Sequence, residues 1–383
     1  MNSWLLHSNA PWANTGYGTQ IGELARQIAS SGRTVTMSSN YGLQGMISQW
    51  EGLEVLPCGF DQFSRDVIPV HHHYTESKHG PTVLLTLFDV WVYEPVPLTS
   101  IKRIASWIPI DHDPIQQSIL DWCARPNVTP IAMSHFGSAQ LDARDVAHRY
   151  APHSVDTSIF TPGATVDDLT GRDLLGLPED AFVVGIVAAN KGHTPSRKSF
   201  AEQFQALGKF MKAHDDVIVY LHTDKTGAGG GINLPRLAEA CCMSAERVAW
   251  VDQWSYYAGL DHRVLAAIFN AFDVNLLCSR GEGFGVPALE AAACGIPSIV
   301  SDFTAQPELA PFGYLAEVQR EWDEAQGTWW GSPRVDSILE QLESAYLTAS
   351  ARKVATRRAA EPYDHNTVFT NHWLPILGAL ELP

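Results

Sequence analysis

Two glutamates on either side of a glycine-rich turn offer the clearest chemistry in this sequence. The turn reads Gly281-Glu282-Gly283-Phe284-Gly285, and Glu290 lies eight positions after Glu282. Residues 274–278 are an apolar run that predicts a short buried strand before the turn. Pro287 suits the first position of a helix after the turn. A strand, a glycine-rich turn and a helix N-terminus together form an anion site, because free N–H groups and the helix dipole face the ligand.

The two carboxylates refine this prediction. Carboxylates accept hydrogen bonds, so they suit neutral hydroxyl groups on either side of a bound phosphate. The Glu-x7-Glu spacing, with Gly-Phe-Gly-Val-Pro inside it, resembles the donor-site signature of the retaining GT-B glycosyltransferases of the large sucrose-synthase-like group (family 4 type). The resemblance implies that Glu282 contacts the transferred sugar and that Glu290 holds the nucleotide ribose. It assigns three further residues to the donor site: Gly283, Phe284 and Gly285. Residues 305–309 resemble the next loop of the same family.

A cationic loop precedes the predicted helix at 199–212. Positive charge before a helix N-terminus suits a diphosphate. Relatives place an Arg and a Lys on the donor phosphates here, and Lys198 matches the Lys. The Arg is displaced, because Asn190 and Lys191 stand near its usual place and Arg197 lies beside Lys198. We therefore predict that Arg197 and Lys198 bind the donor; the alternative is that both are solvated surface charges.

A second glycine-containing loop lies near the start of the chain. Residues 4–8 predict a strand, Gly16 and Gly18 lie in the loop after it, and the apolar spacing becomes helical from Gln20. This order is that of a Rossmann-like opening. It resembles the N-terminal loop of the same family, especially in members from phages and actinobacteria. The resemblance implies that Gly16 and Gly18 face the donor, and the alternative is an ordinary turn.

The stretch Asp111-His112-Asp113 follows the predicted strand at 105–110. Open α/β sheets bind ligands at the carboxyl ends of their strands. An Asp-x-Asp sequence is also the metal signature of the other glycosyltransferase architecture, GT-A, which is the competing interpretation. In GT-B relatives a His-Asp pair at this place lines the acceptor side, so the resemblance implies catalytic roles for His112 and Asp113. A purely structural His112 remains an alternative.

Three consecutive histidines, His71 to His73, lie in a segment at 59–80 that the sequence predicts to be irregular. Neighbouring side chains of an extended chain point to opposite faces, so these three do not converge on one ion. We therefore expect no metal site here, and none elsewhere in the chain.

Strands and helices alternate along the chain, which predicts an α/β fold with parallel, doubly wound sheets. With the resemblance, the expected architecture is GT-B: two Rossmann-like doubly wound domains facing a cleft. We expect an N-terminal acceptor-side domain at 1–160 and a nucleotide-sugar-binding domain at 178–350. A C-terminal helix at 351–383 is expected to cross back to the first domain.

Composition limits the partners. The 383 residues are 45% hydrophobic and 18% charged, and no apolar run approaches the roughly 20 residues of a membrane span. Six cysteines without a Cys-x-x-Cys pair favour a reducing cytoplasm, which is the host's if the protein is encoded by a phage. The formal charge of −16 disfavours DNA and anionic membranes as partners.

The sequence thus predicts a retaining glycosyltransferase, of hexosyl or related type, that uses a nucleoside-diphosphate sugar as substrate. It would need no cofactor and no metal, and its acceptor would be a hydroxyl on a protein, a glycan or a small molecule. Three alternatives remain open. They are a phage-type enzyme that glycosylates hydroxymethylated DNA bases, a nucleotide-sugar-binding module without turnover, and a phosphorylase-like enzyme, for which no cofactor lysine is identifiable.

Overall fold

A computed structural model describes residues 3–93, 95–192 and 195–381. The chain forms two compact units. The first contains the residues up to Ser154 together with those from His365 onward, and the second runs from Val155 to Asp364. Each unit has its own sheet and its own core.

The first unit is an α/β layer structure around one sheet of eight strands within the described residues. Its strands are β1 (Ser3–Ser8), β2 (Thr34–Ser39), β3 (Ser48–Trp50), β4 (Leu53–Leu56), β5 (Thr82–Leu87), β6 (Ile104–Ile108), β7 (Val128–Ala132) and β8 (Arg149–Tyr150). Its helices in this part of the chain are α1 (Gly16–Ser30), α2 (Ile68–His79), α3 (Val90–Tyr93), α4 (Gln117–Cys123) and α5 (His135–Asp142). The strand order is β3-β4-β2-β1-β5-β6-β7-β8, and the pairs are parallel except β3–β4.

The second unit repeats this plan with a smaller sheet and an added hairpin. Its strands are β9 (Phe182–Val187), β10 (Val217–His222), β11 (Val248–Trp250), β12 (Val274–Leu277), β13 (Ser298–Ser301), β14 (Gly313–Ala316), β15 (Val318–Asp323) and β16 (Thr328–Pro333). Its helices are α6 (Gly171–Leu175), α7 (Phe200–Ala213), α8 (Leu234–Ala240), α9 (Gln253–Ala258), α10 (His262–Asn270), α11 (Val286–Ala293) and α12 (Val335–Ala360). The main sheet has the order β11-β10-β9-β12-β13-β14 and is parallel, whereas β15 and β16 form a separate antiparallel pair.

The last part of the chain belongs to the first unit. It contains α13 (His365–Val368), a π-helical turn (Phe369–Trp373) and α14 (Leu374–Leu380). Trp373 packs edge-on against Trp107 of β6, with 4.8 Å between the ring centroids. The Arg103 guanidinium donates to the Leu380 carbonyl at 2.8 Å. These contacts attach the C-terminal helices to the eight-stranded sheet.

Both main sheets reverse their strand order once. In the first unit the reversal lies between β1 and β5, and in the second between β9 and β12. Loops that leave the carboxyl ends of two such strands run in opposite directions, and the crevice between them is where open α/β sheets bind ligands. The fold therefore marks the β1–β5 and β9–β12 edges as the places to look for a site.

The prediction of an irregular segment at 59–80 is wrong from Ile68 onward, because α2 occupies Ile68–His79. Pro69 lies in the first turn of this helix, where its missing N–H costs nothing. Gly80, at φ +85°, ends the helix. The histidines diverge on the helix: His71 Nδ1 lies 2.8 Å from Ser38 Oγ, whereas His72 Nε2 lies 3.1 Å from the Thr82 carbonyl oxygen.

The boundaries of the two compact units differ from the domain boundaries expected at 160, 178 and 351. The first division lies between Ser154 and Val155. The long helix α12 continues to Ala360 within the second unit, so the first unit regains the chain only at His365.

Candidate active site

The loops after β9 and β12 bring three of the predicted site residues together. The two strands are parallel neighbours, with Val184 paired to Val274. Their carboxyl ends therefore lie at one edge of the sheet, and so do the loops that follow them. The first loop carries Arg197 and Lys198, and the second carries Glu282.

The Glu282 carboxylate is the centre of this group, and its side chain is only 8% exposed. Lys198 Nζ donates to its Oε1, and Arg197 Nη1 donates to its Oε2 at 2.9 Å. Arg197 Nη1 also donates to the Gly281 carbonyl oxygen at 2.9 Å. Burial raises the pKa of Glu282, but the charges of Arg197 and Lys198 outweigh it and hold the pKa at about 2. Glu282 is therefore ionised throughout the physiological range.

The loops that hold these residues are fixed by polar side chains that sequence reasoning missed. The Glu282 N–H donates to Thr304 Oγ1 at 3.0 Å, and Gln203 Nε2 donates to the Lys198 carbonyl at 2.6 Å. The buried Gln306 amide donates to the Ser279 carbonyl at 3.1 Å and accepts the Ser279 N–H at 3.2 Å. The resemblance at 305–309 is the one sequence signal for this region, and it points to a loop without giving the role of its glutamine.

The helix after the turn begins as the sequence predicts, with Pro287 in its first turn. Gly285 precedes it at φ +114°, and a Cβ there would lie 2.8 Å from Leu309 Cδ1, so only glycine fits. The Phe284 side chain is buried and faces the Tyr363 ring at 5.9 Å between centroids. Its ring is therefore part of the packing of this unit, which leaves the backbone of Gly283, Phe284 and Gly285 to fulfil their predicted role.

Glu290 lies in α11 and differs sharply from Glu282. Its side chain is buried. Burial raises the pKa of Glu290 from its ordinary value of 4.5 to about 8. The carboxyl is therefore neutral at neutral pH, and a neutral carboxyl can both donate and accept a hydrogen bond.

In the first unit, Asp111, His112 and Asp113 follow β6. His112 Nδ1 lies 2.5 Å from Asp111 Oδ1, and Gln140 Nε2 donates to Asp113 Oδ1 at 3.3 Å. The His112 ring is buried. Across the described ranges, no group of three or more His, Cys, Asp or Glu residues is arranged to hold a metal ion.

The N-terminal glycines lie in a helix rather than a loop. We expected α1 from Gln20, but it starts at Gly16, and Gly18 N–H donates to the capping Thr15 Oγ1 at 3.0 Å. A Cβ on Gly18 would lie 2.5 Å from the Ala13 carbonyl oxygen, so glycine is required by the tight approach of the chain. The N–H of Gly18 is thus used within the loop, and donor binding by Gly16 and Gly18 stays a prediction.

The predicted residues therefore form separate groups. Arg197, Lys198 and Glu282 are in direct contact in the second unit, and Glu290 lies on the helix that follows the same turn. The turn between the two glutamates carries Gly283, Phe284 and Gly285, and the first unit contains the remaining four residues: Gly16, Gly18, His112 and Asp113. Among the described residues, no helix combines the length and the apolarity needed to cross a membrane.

Comparison with known proteins agrees with this geometry. Residues 210–324 match the family described as Glycosyl transferases group 1, a segment that includes Glu282 and Glu290. The D-inositol 3-phosphate glycosyltransferase of Corynebacterium urealyticum is 22% identical over 325 residues, which are 75% of this chain and 74% of the relative. The enzyme of the same name from Stackebrandtia nassauensis is 28% identical over 208 residues, which are 54% of this chain and 44% of the relative.

Solved structures share the fold. Sucrose-phosphate synthase from Thermosynechococcus elongatus has a TM-score of 0.74 at 17% identity, covering 99% of this chain and 98% of that one. Anabaena HepE, solved in complex with UDP and glucose, has a TM-score of 0.66 at 16% identity, covering 99% of this chain and 100% of that one. The predicted α/β fold of two Rossmann-like units is thereby confirmed. The chain therefore has the GT-B fold and is a glycosyltransferase, with its similarity to the group 1 family lying over residues 210–324.

Proposed function

We propose that this protein transfers a sugar from a nucleoside-diphosphate sugar to a hydroxyl acceptor with retention of configuration and without a metal ion. The observation that carries the proposal is the buried Glu282 carboxylate between Lys198 and Arg197, at the turn that leads into α11. A carboxylate and two cations at a glycine-rich turn are the groups needed to hold a sugar and a diphosphate.

In this proposal Lys198 and Arg197 also bind a second anion, the diphosphate of the donor. As the glycosidic bond breaks, negative charge accumulates on the leaving diphosphate, and preorganised donors that face it lower the barrier. Lys198 and Arg197 share the single negative charge of Glu282, which leaves the three groups with a net charge of +1 (two cations and one carboxylate). The diphosphate competes for them, and Glu282 is then released to accept hydrogen bonds from the sugar hydroxyls. The cations thus take the part that a divalent ion plays in other glycosyltransferases.

Retention without a side-chain nucleophile requires attack from the face that the diphosphate leaves. In this proposal a donor phosphate oxygen takes the proton of the acceptor hydroxyl, and His112 with Asp113 orients the reacting groups. Asp111 supports this role, because its carboxylate accepts from His112 Nδ1 and so fixes the ring.

For the acceptor we propose a hydroxyl on a small molecule, a glycan or a protein rather than on DNA. The named relatives act on D-inositol 3-phosphate, and the sucrose-phosphate synthase also has a small-molecule product. The net charge of −16 opposes binding to a polyanion. We also propose that the protein is located in the cytoplasm.

The first experiment measures diphosphate release from a panel of UDP, GDP and ADP sugars, with and without acceptors. We expect release from at least one donor, stimulation by small hydroxyl acceptors or glycans, and no effect of EDTA. Stimulation by hydroxymethylated DNA alone would overturn the acceptor proposal. Loss of activity in EDTA with recovery in manganese would instead support a cation held by Asp111 and Asp113.

Replacing the buried lysine tests the electrostatic mechanism. Lys198→Ala removes one cation that faces the leaving diphosphate, and we expect kcat to fall on the order of 10²- to 10³-fold. The matched control is Lys209→Ala, an exposed lysine on α7, which should keep wild-type kinetics. Thermal unfolding of both variants separates a local effect from loss of the fold. Wild-type turnover in a folded Lys198→Ala protein would exclude the lysine from the mechanism.

Glu290 should release a proton when a nucleotide binds. Its pKa of about 8 keeps it protonated at neutral pH, and ribose hydroxyls that donate to a carboxylate stabilise the charged form and lower the pKa. Calorimetry with the nucleoside diphosphate in phosphate and in Tris buffer should therefore give different enthalpies for the wild type. The difference should disappear in Glu290→Gln, and equal enthalpies in the wild type would contradict the ribose role.

The same carboxyl gives a pH dependence of stability with a defined sign. The pKa of Glu290 is raised from 4.5 in the unfolded chain to about 8 in the native protein. Its contribution is therefore fully present below pH 4.5 and is lost as the pH rises through about 8. Relative to Glu290→Gln, the wild type should lose on the order of a few kcal/mol of unfolding free energy across this window. Denaturant titrations of both proteins at several pH values measure this loss, and parallel curves would show that the pKa of Glu290 is not raised in the native protein.

His112→Ala tests the acceptor side. A group that orients the reacting atoms acts mainly in the transition state, so kcat should fall about 10²-fold while the KM for the donor changes little. The control is His73→Ala, because His73 is the exposed member of the histidine run on α2. Steady-state kinetics with one donor decide the question, and unchanged constants for His112→Ala would remove this residue from the site.

A further inference from the structure

The hairpin β15–β16 is the element whose place in the fold the proposed mechanism does not explain. A two-stranded hairpin is marginally stable alone, so contacts outside it must hold it in place. The Gly331 N–H donates to the Arg280 carbonyl at 2.9 Å. The Arg280 guanidinium, only 5% exposed, pairs with Glu321 and donates to Ser332 Oγ at 3.2 Å.

Packing against Phe303 also holds the hairpin in place. A Cβ at Gly331 would lie 2.6 Å from the Phe303 ring, so the glycine lets the strand lie directly against that ring. Arg320, on the partner strand, places its guanidinium 5.6 Å from the centroid of the same ring. These contacts add to the bonds with Arg280, which lies two positions before Glu282. Together they give the hairpin a defined place beside the candidate donor site.

A cavity of about 510 Å³, which we call the hairpin cavity, opens between this hairpin and the cationic loop. This volume lies within the range of small-molecule sites. Its lining includes Arg197, Arg280, Glu321, Trp322, Glu324 and Trp330. Because Arg197 also donates to Glu282, one side chain borders both the candidate donor site and the hairpin cavity.

The two indoles in the lining are held by neighbouring carboxylates. Trp322 Nε1 donates to Glu324 Oε2 at 2.7 Å, and Trp330 Nε1 donates to Asp323 Oδ2 at 3.1 Å. The Trp322 side chain is 48% exposed although its N–H is bonded. An aromatic face offers apolar contact area, and carboxylate oxygens accept hydrogen bonds from hydroxyls. A pyranose presents both surfaces at once, an apolar face of C–H groups and a rim of hydroxyls.

The charge of the lining selects against anionic ligands. Two guanidinium groups, those of Arg197 and Arg280, face three carboxylates, those of Glu321, Asp323 and Glu324, which gives a net charge of −1. The guanidinium groups are also engaged already, since Arg197 pairs with Glu282 and Arg280 pairs with Glu321. The net negative charge of the lining opposes the binding of a phosphorylated or carboxylated sugar, whereas it does not oppose a neutral sugar.

We propose that the hairpin cavity binds a neutral saccharide, the sugar portion of a glycan acceptor. Its role as an acceptor subsite rests on the glycosyl transfer proposed above, but its binding of a saccharide does not. Because Arg197 lines this cavity and also contacts Glu282, an acceptor sugar bound here lies beside the candidate donor site.

The test measures saccharide binding to the full chain by saturation-transfer NMR with no nucleotide present. The probes are methyl α-glucoside, maltose, lactose and mannobiose, with glucose 6-phosphate and glucuronic acid as charged counterparts. We expect at least one neutral probe to bind and the charged probes to bind more weakly. In Trp322→Ala the affinity for that probe should fall about two- to tenfold, the range expected for one aromatic contact.

Two further variants keep the result interpretable. Glu324→Ala removes a carboxylate acceptor and should also weaken binding, whereas Leu347→Ala, at an 80% exposed position on α12, should not. The proposal is overturned if no neutral probe binds the wild type, if the charged probes bind more tightly, or if affinity persists in both cavity variants.

Nucleotide binding on the same preparations separates this inference from the proposed function. Saccharide binding without any affinity for a nucleoside diphosphate would support a saccharide site in the hairpin cavity and would contradict the proposed glycosyl transfer. Nucleotide binding and diphosphate release without saccharide binding would support the proposed glycosyl transfer and would contradict the saccharide site.

Discussion

The structure of the candidate site depends on one buried carboxylate and the two cations that neutralise it. Moving a carboxylate out of water is unfavourable unless it is paired and hydrogen-bonded, and removing one partner of a buried pair is strongly destabilising. Glu282 satisfies this condition through Lys198 and Arg197, which lie more than 80 positions earlier in the chain. The ion pairs therefore fix two distant loops against each other.

The sheet makes this meeting of distant residues unavoidable. The strands β9 and β12 are neighbours at the reversal of strand order, so the loops after them begin at the same edge. The first unit repeats the arrangement at β1 and β5, where the Tyr17 hydroxyl donates to Asp89 at 3.3 Å. In each unit the residues at the reversal are polar and in contact although their strands are buried and apolar. The position of the sites is thus a property of topology, and their chemistry is a property of the loops.

Much of the fold was predictable because its signals are local. The strands β1, β6 and β12 lie within about two residues of the runs at 4–8, 105–110 and 274–278 that predict them, because short apolar runs bounded by turn residues favour buried strands. Helix α2 was missed because its three histidines obscure any apolar periodicity, although Pro69 and Gly80 mark its ends. The hairpin β15–β16 was missed because the residues of β15 are mostly exposed, and the contacts that hold the hairpin come from Arg280 and Phe303, far away in sequence.

The candidate site was predictable in its members and not in its contacts. The spacing of Glu282 and Glu290 identifies both residues, and the loop before α7 identifies Lys198. That Arg197 turns towards Glu282 depends on the pairing of β9 with β12, a long-range event that no spacing in the sequence records. Likewise, Gly18 has the residue type of a phosphate-binding loop, yet its N–H is used by Thr15. Residue type and order restrict the candidates, and only the folded chain assigns their partners.

The two glutamates show why this last step matters chemically. They are identical residues eight positions apart, and the structure gives them opposite protonation states at neutral pH. Arg197 and Lys198 hold the pKa of Glu282 at about 2, whereas burial without a cation raises the pKa of Glu290 to about 8. A neutral Glu290 adds no negative charge to the helix that follows the glycine-rich turn, so Arg197 and Lys198 together with Glu282 keep a net charge of +1 (two cations and one carboxylate).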